Sequence, residues 1–152
     1  MQTPISHAYK SDFFHLSFKH RIQTLRMVML CNTPYLSTHL LPQTSRILKK
    51  RLPTVLLTDC FNEHSLPFKT EVKRTEIAHL LEHLLLEYLC LEKIAAGFSS
   101  ASYSGRTHWN WLKYPRGSFF ITITMEKTDL KFLPAALEKS ITLLEEILNS
   151  AA

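Results

Sequence analysis

Residues 119–125 read FFITITM, and this stretch decides the fold class. Its apolar and polar side chains alternate with period two, which predicts a strand with one buried face. Residues 13–19 and 23–31 also have strand character, and the second of them shows the same period. Residues 129–148 follow as an amphipathic helix, DLKFLPAALEKSITLLEEIL. Because strands come in pairs and helices in groups, we predict an α+β domain of two layers, with a largely antiparallel sheet packed against helices.

The strongest helical pattern lies in the middle of the chain. Residues 71–96 read EVKRTEIAHLLEHLLLEYLCLEKIAA, and Gly97 stands where the end of a helix is expected. A shorter helix is predicted at residues 44–52. Polar loops are predicted at residues 59–68 and 99–105, on either side of the long helix.

Composition limits the class of protein. The chain has 152 residues and a mass of 17.6 kDa, which fits one domain over residues 1–152 with a loose leader at 1–11. The formal charge is +5, but the positive residues are scattered along the sequence, which argues against a nucleic-acid partner. No apolar run approaches the roughly 20 residues of a membrane span, so no membrane partner is expected. The odd number of three cysteines argues against a disulfide framework and favours a reducing, cytoplasmic compartment.

The candidate chemistry lies in the long helix, in the stretch from His79 to His83, HLLEH. Side chains four residues apart are neighbours on a helix, so the imidazoles of His79 and His83 can converge on one metal ion. Neutral imidazoles bind zinc and leave a position open for water, and Glu82 can take a proton from that water without being a ligand. This is the H-x-x-E-H pattern of the inverted zinc peptidases.

A catalytic zinc site needs a third protein ligand, which the helix itself supplies poorly. Glu87 lies about 12 Å along the helix axis from His79, so it is better placed to orient an imidazole than to bind the same ion. A cysteine with two histidines is one known catalytic zinc set. The candidates for the third ligand are the loop residues Cys60, Glu63 and His64 and the acidic residues Glu138 and Glu145 of the last helix.

Further motifs occur in a definite order around the helix. They are Leu52-Pro53, Cys60, His64 and Phe68 before H-x-x-E-H, then Glu87, Gly105-Arg106-Thr107 and Pro115-Arg116-Gly117 ahead of the strand at Phe119. This order resembles the N-terminal domain of cyanophycin synthetase, the enzyme that builds a multi-arginyl-polyaspartate storage polymer. The chain departs from that family at His108, where a second arginine is common, and resembles the N-terminal domain without the ligase domains.

The resemblance implies a domain that binds the polymer and, as in some members of that family, a zinc-peptidase-like site that cuts it. The roles it implies for residues of this chain can be given together. They are His79, His83 and Cys60 as metal ligands, Glu82 as general base, Arg106 and Thr107 in substrate binding, and Glu87 and His64 as groups that orient the ligands.

Two functions follow as expectations. The first is a zinc-dependent hydrolase of peptide or isopeptide bonds, acting on a cyanophycin-like Asp/Arg polymer or related peptides. The alternative is a non-catalytic module of the same fold that binds the polymer or a protein. Glu82 between the two histidines favours the enzyme, because a binding module needs no general base. Association into a homo-oligomer is left open.

Overall fold

The computed structural model describes residues 6–60 and 66–151, which form five strands and four α-helices. In chain order these are β1 (Ser6–Lys10), β2 (Phe14–Arg21), β3 (Thr24–Cys31), α1 (Thr44–Arg51), α2 (Phe68–Glu71), α3 (Ile77–Ala95), β4 (Ser104–His108), β5 (Ser118–Thr124) and α4 (Leu133–Asn149). Short 3₁₀ turns occupy Thr38–Leu40, Pro53–Leu57 and Lys127–Phe132. No helix in the described ranges has the length and apolar character that a membrane span requires.

The five strands form one antiparallel sheet in the spatial order β1-β2-β3-β5-β4. Burial alternates along β2, β3 and β5, so that each strand presents one side chain in two to the core. Buried strand residues such as Leu16, Met27 and Ile121 join the buried faces of α3 and α4 in a single hydrophobic cluster. The helices therefore form a second layer on one face of the sheet, which confirms the predicted α+β fold.

The first strand corrects the prediction of a loose leader over residues 1–11. Ser6–Lys10 pairs antiparallel with β2, for example His7 with Phe18 and Tyr9 with Leu16. The Tyr9 hydroxyl also donates a hydrogen bond of 2.9 Å to Glu145 on α4. The segment lacks the alternation of apolar residues that identified the other strands, because the ladder hydrogen bonds to β2 fix it instead. Residues 1–5 lie outside the described part of the chain.

The Gly105-Arg106-Thr107 motif lies in β4 at the edge of the sheet, although the loop predicted at residues 99–105 includes its glycine. Gly105 is opposite Ile123, and Thr107 is opposite Ile121. The strand has little apolar character of its own, and its pairing with β5 determines its conformation. This correction places Thr107 on the face of the sheet that carries the helices.

The long helix ends where the sequence predicts and begins later. Gly97 follows its last turn with a φ of +104°, a left-handed conformation that glycine adopts without strain. At the other end, residues 71–76 were predicted to be helical, but α3 begins at Ile77. The N–H of Thr38 donates to the carbonyl of Thr75, and the N–H of Thr75 donates to the Thr38 hydroxyl. These tertiary hydrogen bonds hold the chain in an extended conformation just before the helix.

Candidate metal centre

Cys60, His79 and His83 bring three possible metal ligands together. One ligand atom from each lies within 4.8 Å of the others, an arrangement that could hold a metal ion. The Cys60 sulfur is 3.4 Å from Nε2 of His79. The two histidines occupy successive turns of α3, with ring centroids 4.7 Å apart. The predicted convergence of these side chains is therefore confirmed.

Cys60 reaches the histidines from the segment that follows the second 3₁₀ turn. Its N–H donates to the carbonyl of Leu66, which fixes the backbone at this point. Of the other third-ligand candidates, Glu145 accepts the hydrogen bond from Tyr9, and neither it nor Glu138 belongs to the group. The remaining two, Glu63 and His64, lie outside the described residues, as does the predicted orienting role of His64.

The orientation of His79 is set by Thr75. The Thr75 hydroxyl lies 2.7 Å from Nδ1 of His79. An Nδ1–H that donates to this oxygen leaves the lone pair of Nε2 directed towards Cys60, which is the tautomer that binds a metal. Thr75 is itself buried and fixed by its two hydrogen bonds with Thr38. The imidazole is thus held on both sides.

Among the residues that the structure describes, His83 is held by packing and makes no side-chain hydrogen bond. Its ring stacks on Phe68 of α2, with centroids 3.9 Å apart and planes inclined by 12°. Burial, with the nearby His79, lowers the pKa of His83 to about 3. Burial also lowers the pKa of His79, and the charge of Glu71 only partly opposes this effect. Both imidazoles are therefore neutral at pH 7, the form in which histidine binds metals.

Glu82 lies between the histidines in sequence and is only 4% exposed. Burial raises the pKa of its carboxyl to about 7, and a hydrogen bond from Thr107 partly opposes this. The Thr107 hydroxyl donates to Oε1 of Glu82 over 2.8 Å. Glu82 does not belong to the group of possible ligands. A carboxyl whose pKa is near 7 can both accept and release a proton at neutral pH, as a general base must.

These groups line one cleft of about 690 Å³ between the Thr58–Cys60 segment, α3 and β4. Arg106 contributes to its wall and is exposed, but it lies opposite Thr122 and so alternates with Thr107 along the strand. Thr107 contacts Glu82, whereas Arg106 belongs to the other face of the sheet. The roles of Arg106 and Thr107 in substrate binding stay predictions.

Glu87 lies in the same cleft as the histidines, and its predicted role in orienting an imidazole stays a prediction. It is half-buried and lines the cleft, but in the described part of the chain it makes no hydrogen bond to His79 or His83. A group that does contact the His79 ring is Thr75, four residues earlier in the segment before α3, whose hydroxyl reaches Nδ1. The four-residue spacing of Thr75 and His79 could have revealed this partner from the sequence.

Gly105 is a second residue whose importance the sequence does not show. A Cβ atom there would lie 3.3 Å from Cγ of Glu82 and 3.0 Å from the carbonyl oxygen of Thr122. Glycine therefore lets β4 approach Glu82 closely enough for Thr107 to bond to it.

The chemistry of the cleft rests on the two imidazoles of His79 and His83, the thiol of Cys60 and the carboxyl of Glu82. Comparisons of the chain with protein-family models, with curated proteins and with solved structures find no match.

Proposed function

We propose that the protein is a zinc-dependent hydrolase of peptide or isopeptide bonds. The observation that carries the proposal is the convergence of Cys60, His79 and His83, with Glu82 poised in the same cleft. Two imidazoles and a thiol are a donor set that zinc uses in catalytic sites with an open fourth position. A reducing compartment such as the cytoplasm would keep the Cys60 thiol able to bind metal.

The separation of two ligand atoms suits a shared metal ion. Cys60 and His79 would hold one zinc ion only if the thiol sulfur and the imidazole nitrogen lie close together. The Cys60 sulfur and Nε2 of His79 are 3.4 Å apart. When bound, zinc would supply a water of lowered pKa and polarise the carbonyl of the scissile bond.

The chain's own residues supply the proton transfers. Glu82 takes the proton from the attacking water and passes it to the leaving nitrogen, which a carboxyl with a pKa of about 7 can do at neutral pH. Thr107 keeps Oε1 of Glu82 in place through its hydrogen bond. The other carboxylate oxygen remains to accept the proton.

The walls of the cleft suit an extended peptide. β4 is an edge strand, paired with β5 on one side, and an extended chain can add to such an edge through main-chain hydrogen bonds. Asp59 and Glu87 add two carboxylates to the lining. These would favour the guanidinium groups of an Asp/Arg polymer, the substrate that the resemblance to the cyanophycin synthetase domain suggests.

The decisive experiment compares wild type with Glu82→Gln on cyanophycin and on short aspartyl-arginine peptides, with chain length and bound zinc both measured. The amide matches the carboxylate in size but cannot accept the proton, so we expect zinc to stay and hydrolysis to fall by about 10²–10⁴. Glu92→Gln, at a half-buried position of α3 that pairs with Lys139 of α4 outside the cleft, is the control and should keep full activity. Unchanged cleavage by Glu82→Gln would refute its role. Polymer binding without cleavage by zinc-loaded wild type would favour the non-catalytic module.

A further inference from the structure

The face of the sheet opposite the helices is strongly basic. In the described strands, the residues that point away from the helices include no Asp or Glu. No helix of the described ranges packs against this face of the sheet. Five lysine and arginine side chains, all exposed, project from this face, which we call the basic face. They are Lys10, Lys19, Arg21, Arg26 and Arg106. The sequence scatters these residues over four strands, so that only the fold brings them together.

Three of these cations lie in one row across the sheet. Lys19 is opposite Arg26, Arg26 is opposite Thr122, and Thr122 is opposite Arg106. Like charges directly opposite each other destabilise a sheet. The ion pairs found in the described residues instead join helices or a helix and a turn, for example Lys139 with Glu92, and none involves the basic face. The positive charge of this row is therefore not neutralised within the described chain.

Aromatic rings lie beside the row. The exposed His108 ring stacks on Phe120, with centroids 5.2 Å apart and planes inclined by 20°. Tyr114 meets the same phenylalanine edge-on at 4.9 Å and is 39% exposed. The ammonium group of Lys113 lies 5.5 Å from the Tyr114 ring. One ring face of His108 is covered by Phe120, which leaves the other for a planar ligand.

We propose that the basic face binds single-stranded nucleic acid. Cations in a row attract a phosphate backbone, and exposed aromatic rings beside them provide surfaces on which bases stack. An anionic membrane would also be attracted by the charges, but its lipid headgroups have no planar rings to stack on His108. An acidic peptide offers a ring only where it carries an aromatic residue, whereas every nucleotide of a single strand carries a base. Bases of a duplex are already stacked on each other, so a single strand fits this surface better. The inference does not rest on the hydrolase, because Cys60, His79 and His83 lie on the helical side of the sheet. Arg106 lines the cleft as well as the basic face, and the test therefore leaves it unchanged.

The test is fluorescence anisotropy of a labelled oligouridylate of roughly 15 nucleotides, a length within the usual range of single-strand sites. Neutralising two cations in Lys19→Gln/Arg26→Gln should weaken binding about tenfold or more and make the slope of log K against log salt shallower by about 1.4. The matched control is Lys49→Gln/Lys50→Gln, which removes the same charge from the exposed side of α1 and should change binding little. Circular dichroism verifies that each variant is folded.

The stacking contact is tested separately. His108→Ala should weaken binding about fivefold or more, and His108→Phe should restore it because stacking, not charge, is the contact removed. Binding of the same variants to a duplex of this oligonucleotide with its complement, and to vesicles of phosphatidylserine and phosphatidylcholine, is measured in parallel. The proposal is overturned if Lys19→Gln/Arg26→Gln and Lys49→Gln/Lys50→Gln lower binding equally, or if His108→Ala has no effect. It is also overturned if vesicles or duplex bind to the protein and the single strand does not.

Discussion

The hydroxyl of Thr75 lies 2.7 Å from Nδ1 of His79, on the side of the ring away from Cys60. Thr75 precedes α3 by two residues, so the contact forms where the chain enters the helix. When Nδ1–H donates to this hydroxyl, Nε2 is left with the lone pair that can bind a metal. The extended segment before α3 therefore has a consequence for the metal centre as well as for the fold.

Thr75→Val should weaken zinc binding by about 10–100-fold, the usual effect of removing a group that orients a ligand. Valine keeps the shape of threonine but cannot accept the proton of His79, so the imidazole loses its fixed tautomer. Zinc affinity can be measured by competition with a chelating indicator. Thr75→Ser keeps the hydroxyl and should bind zinc like wild type. Equal affinity in wild type and Thr75→Val would show that the contact does not orient the ligand.

Zinc should stabilise the fold if the group binds it. At a zinc concentration about a thousand times Kd, binding adds about 4 kcal/mol to the free energy of unfolding. For a domain of this size, each kcal/mol raises Tm by about 2–4 °C, which predicts a shift of about 8–16 °C. Differential scanning fluorimetry of chelator-treated protein measures it. The double variant His79→Ala/His83→Ala should show no shift, and a similar shift in both proteins would place the metal elsewhere.

The third ligand can be assigned by comparing two cysteines. Cys60→Ala should reduce the zinc that copurifies with the protein, because two imidazoles alone hold the ion weakly. Cys31→Ala removes a thiol at the end of β3, away from the cleft, and should keep the zinc content of wild type. Elemental analysis of the purified proteins gives the comparison. Full zinc content in Cys60→Ala would assign the third ligand to another residue.

The sequence predicts those features of the fold and the site that depend on hydrophobic periodicity and on residue spacing. The alternation at Phe119–Met125 gives β5, and the four-residue spacing of His79 and His83 gives the pair of imidazoles on α3. The place of Cys60 beside them was one of several alternatives, because the path of a loop depends on tertiary packing and not on local pattern. Its hydrogen bond to Leu66 and the packing of Phe68 on His83 are contacts between separate segments.

What the sequence missed depends on pairing between distant residues. β1 and β4 have weak strand character, and their neighbours β2 and β5 determine their conformation. The start of α3 moved to Ile77 because of hydrogen bonds with Thr38, far back in the chain. The hydrogen bond from Thr107 to Glu82 also depends on such pairing, because the pairing of β4 with β5 holds Thr107 beside Glu82.

Gly105→Ala should lower hydrolysis more than zinc binding. The added methyl group would press on Cγ of Glu82 at 3.3 Å and on the Thr122 carbonyl at 3.0 Å, so β4 or Glu82 must shift. Overpacking of this kind costs about 1–3 kcal/mol of stability. Ser104→Ala changes the neighbouring, exposed position and should leave kcat unchanged. Steady-state kinetics and zinc analysis of both variants separate the two effects, and full activity in Gly105→Ala would show that the close approach is not needed.

Asp129 joins three segments near the cleft and should make stability depend on pH. Its Oδ2 accepts hydrogen bonds from Lys93 of α3, over 2.9 Å, and from Tyr103, over 2.8 Å, and Tyr103 lines the cleft. Burial opposes the ionisation of Asp129, but these two hydrogen bonds and the charge of Lys93 outweigh it and lower the pKa of the carboxyl. The ionised form is therefore favoured by folding.

Asp129→Asn should consequently lose about 1.5–3 kcal/mol of stability at pH 7, the range for hydrogen bonds to charged groups. A lowered pKa stabilises the folded state above the unfolded value of about 3.9, and this contribution disappears as the pH falls through the folded pKa. The difference between wild type and Asp129→Asn should then shrink in acid. Urea unfolding at pH 7 and at about pH 3 measures it. Glu126→Gln, an exposed carboxyl nearby, should change stability little at either pH. A difference of the same size at both pH values would mean that the charge of Asp129 does not stabilise this junction.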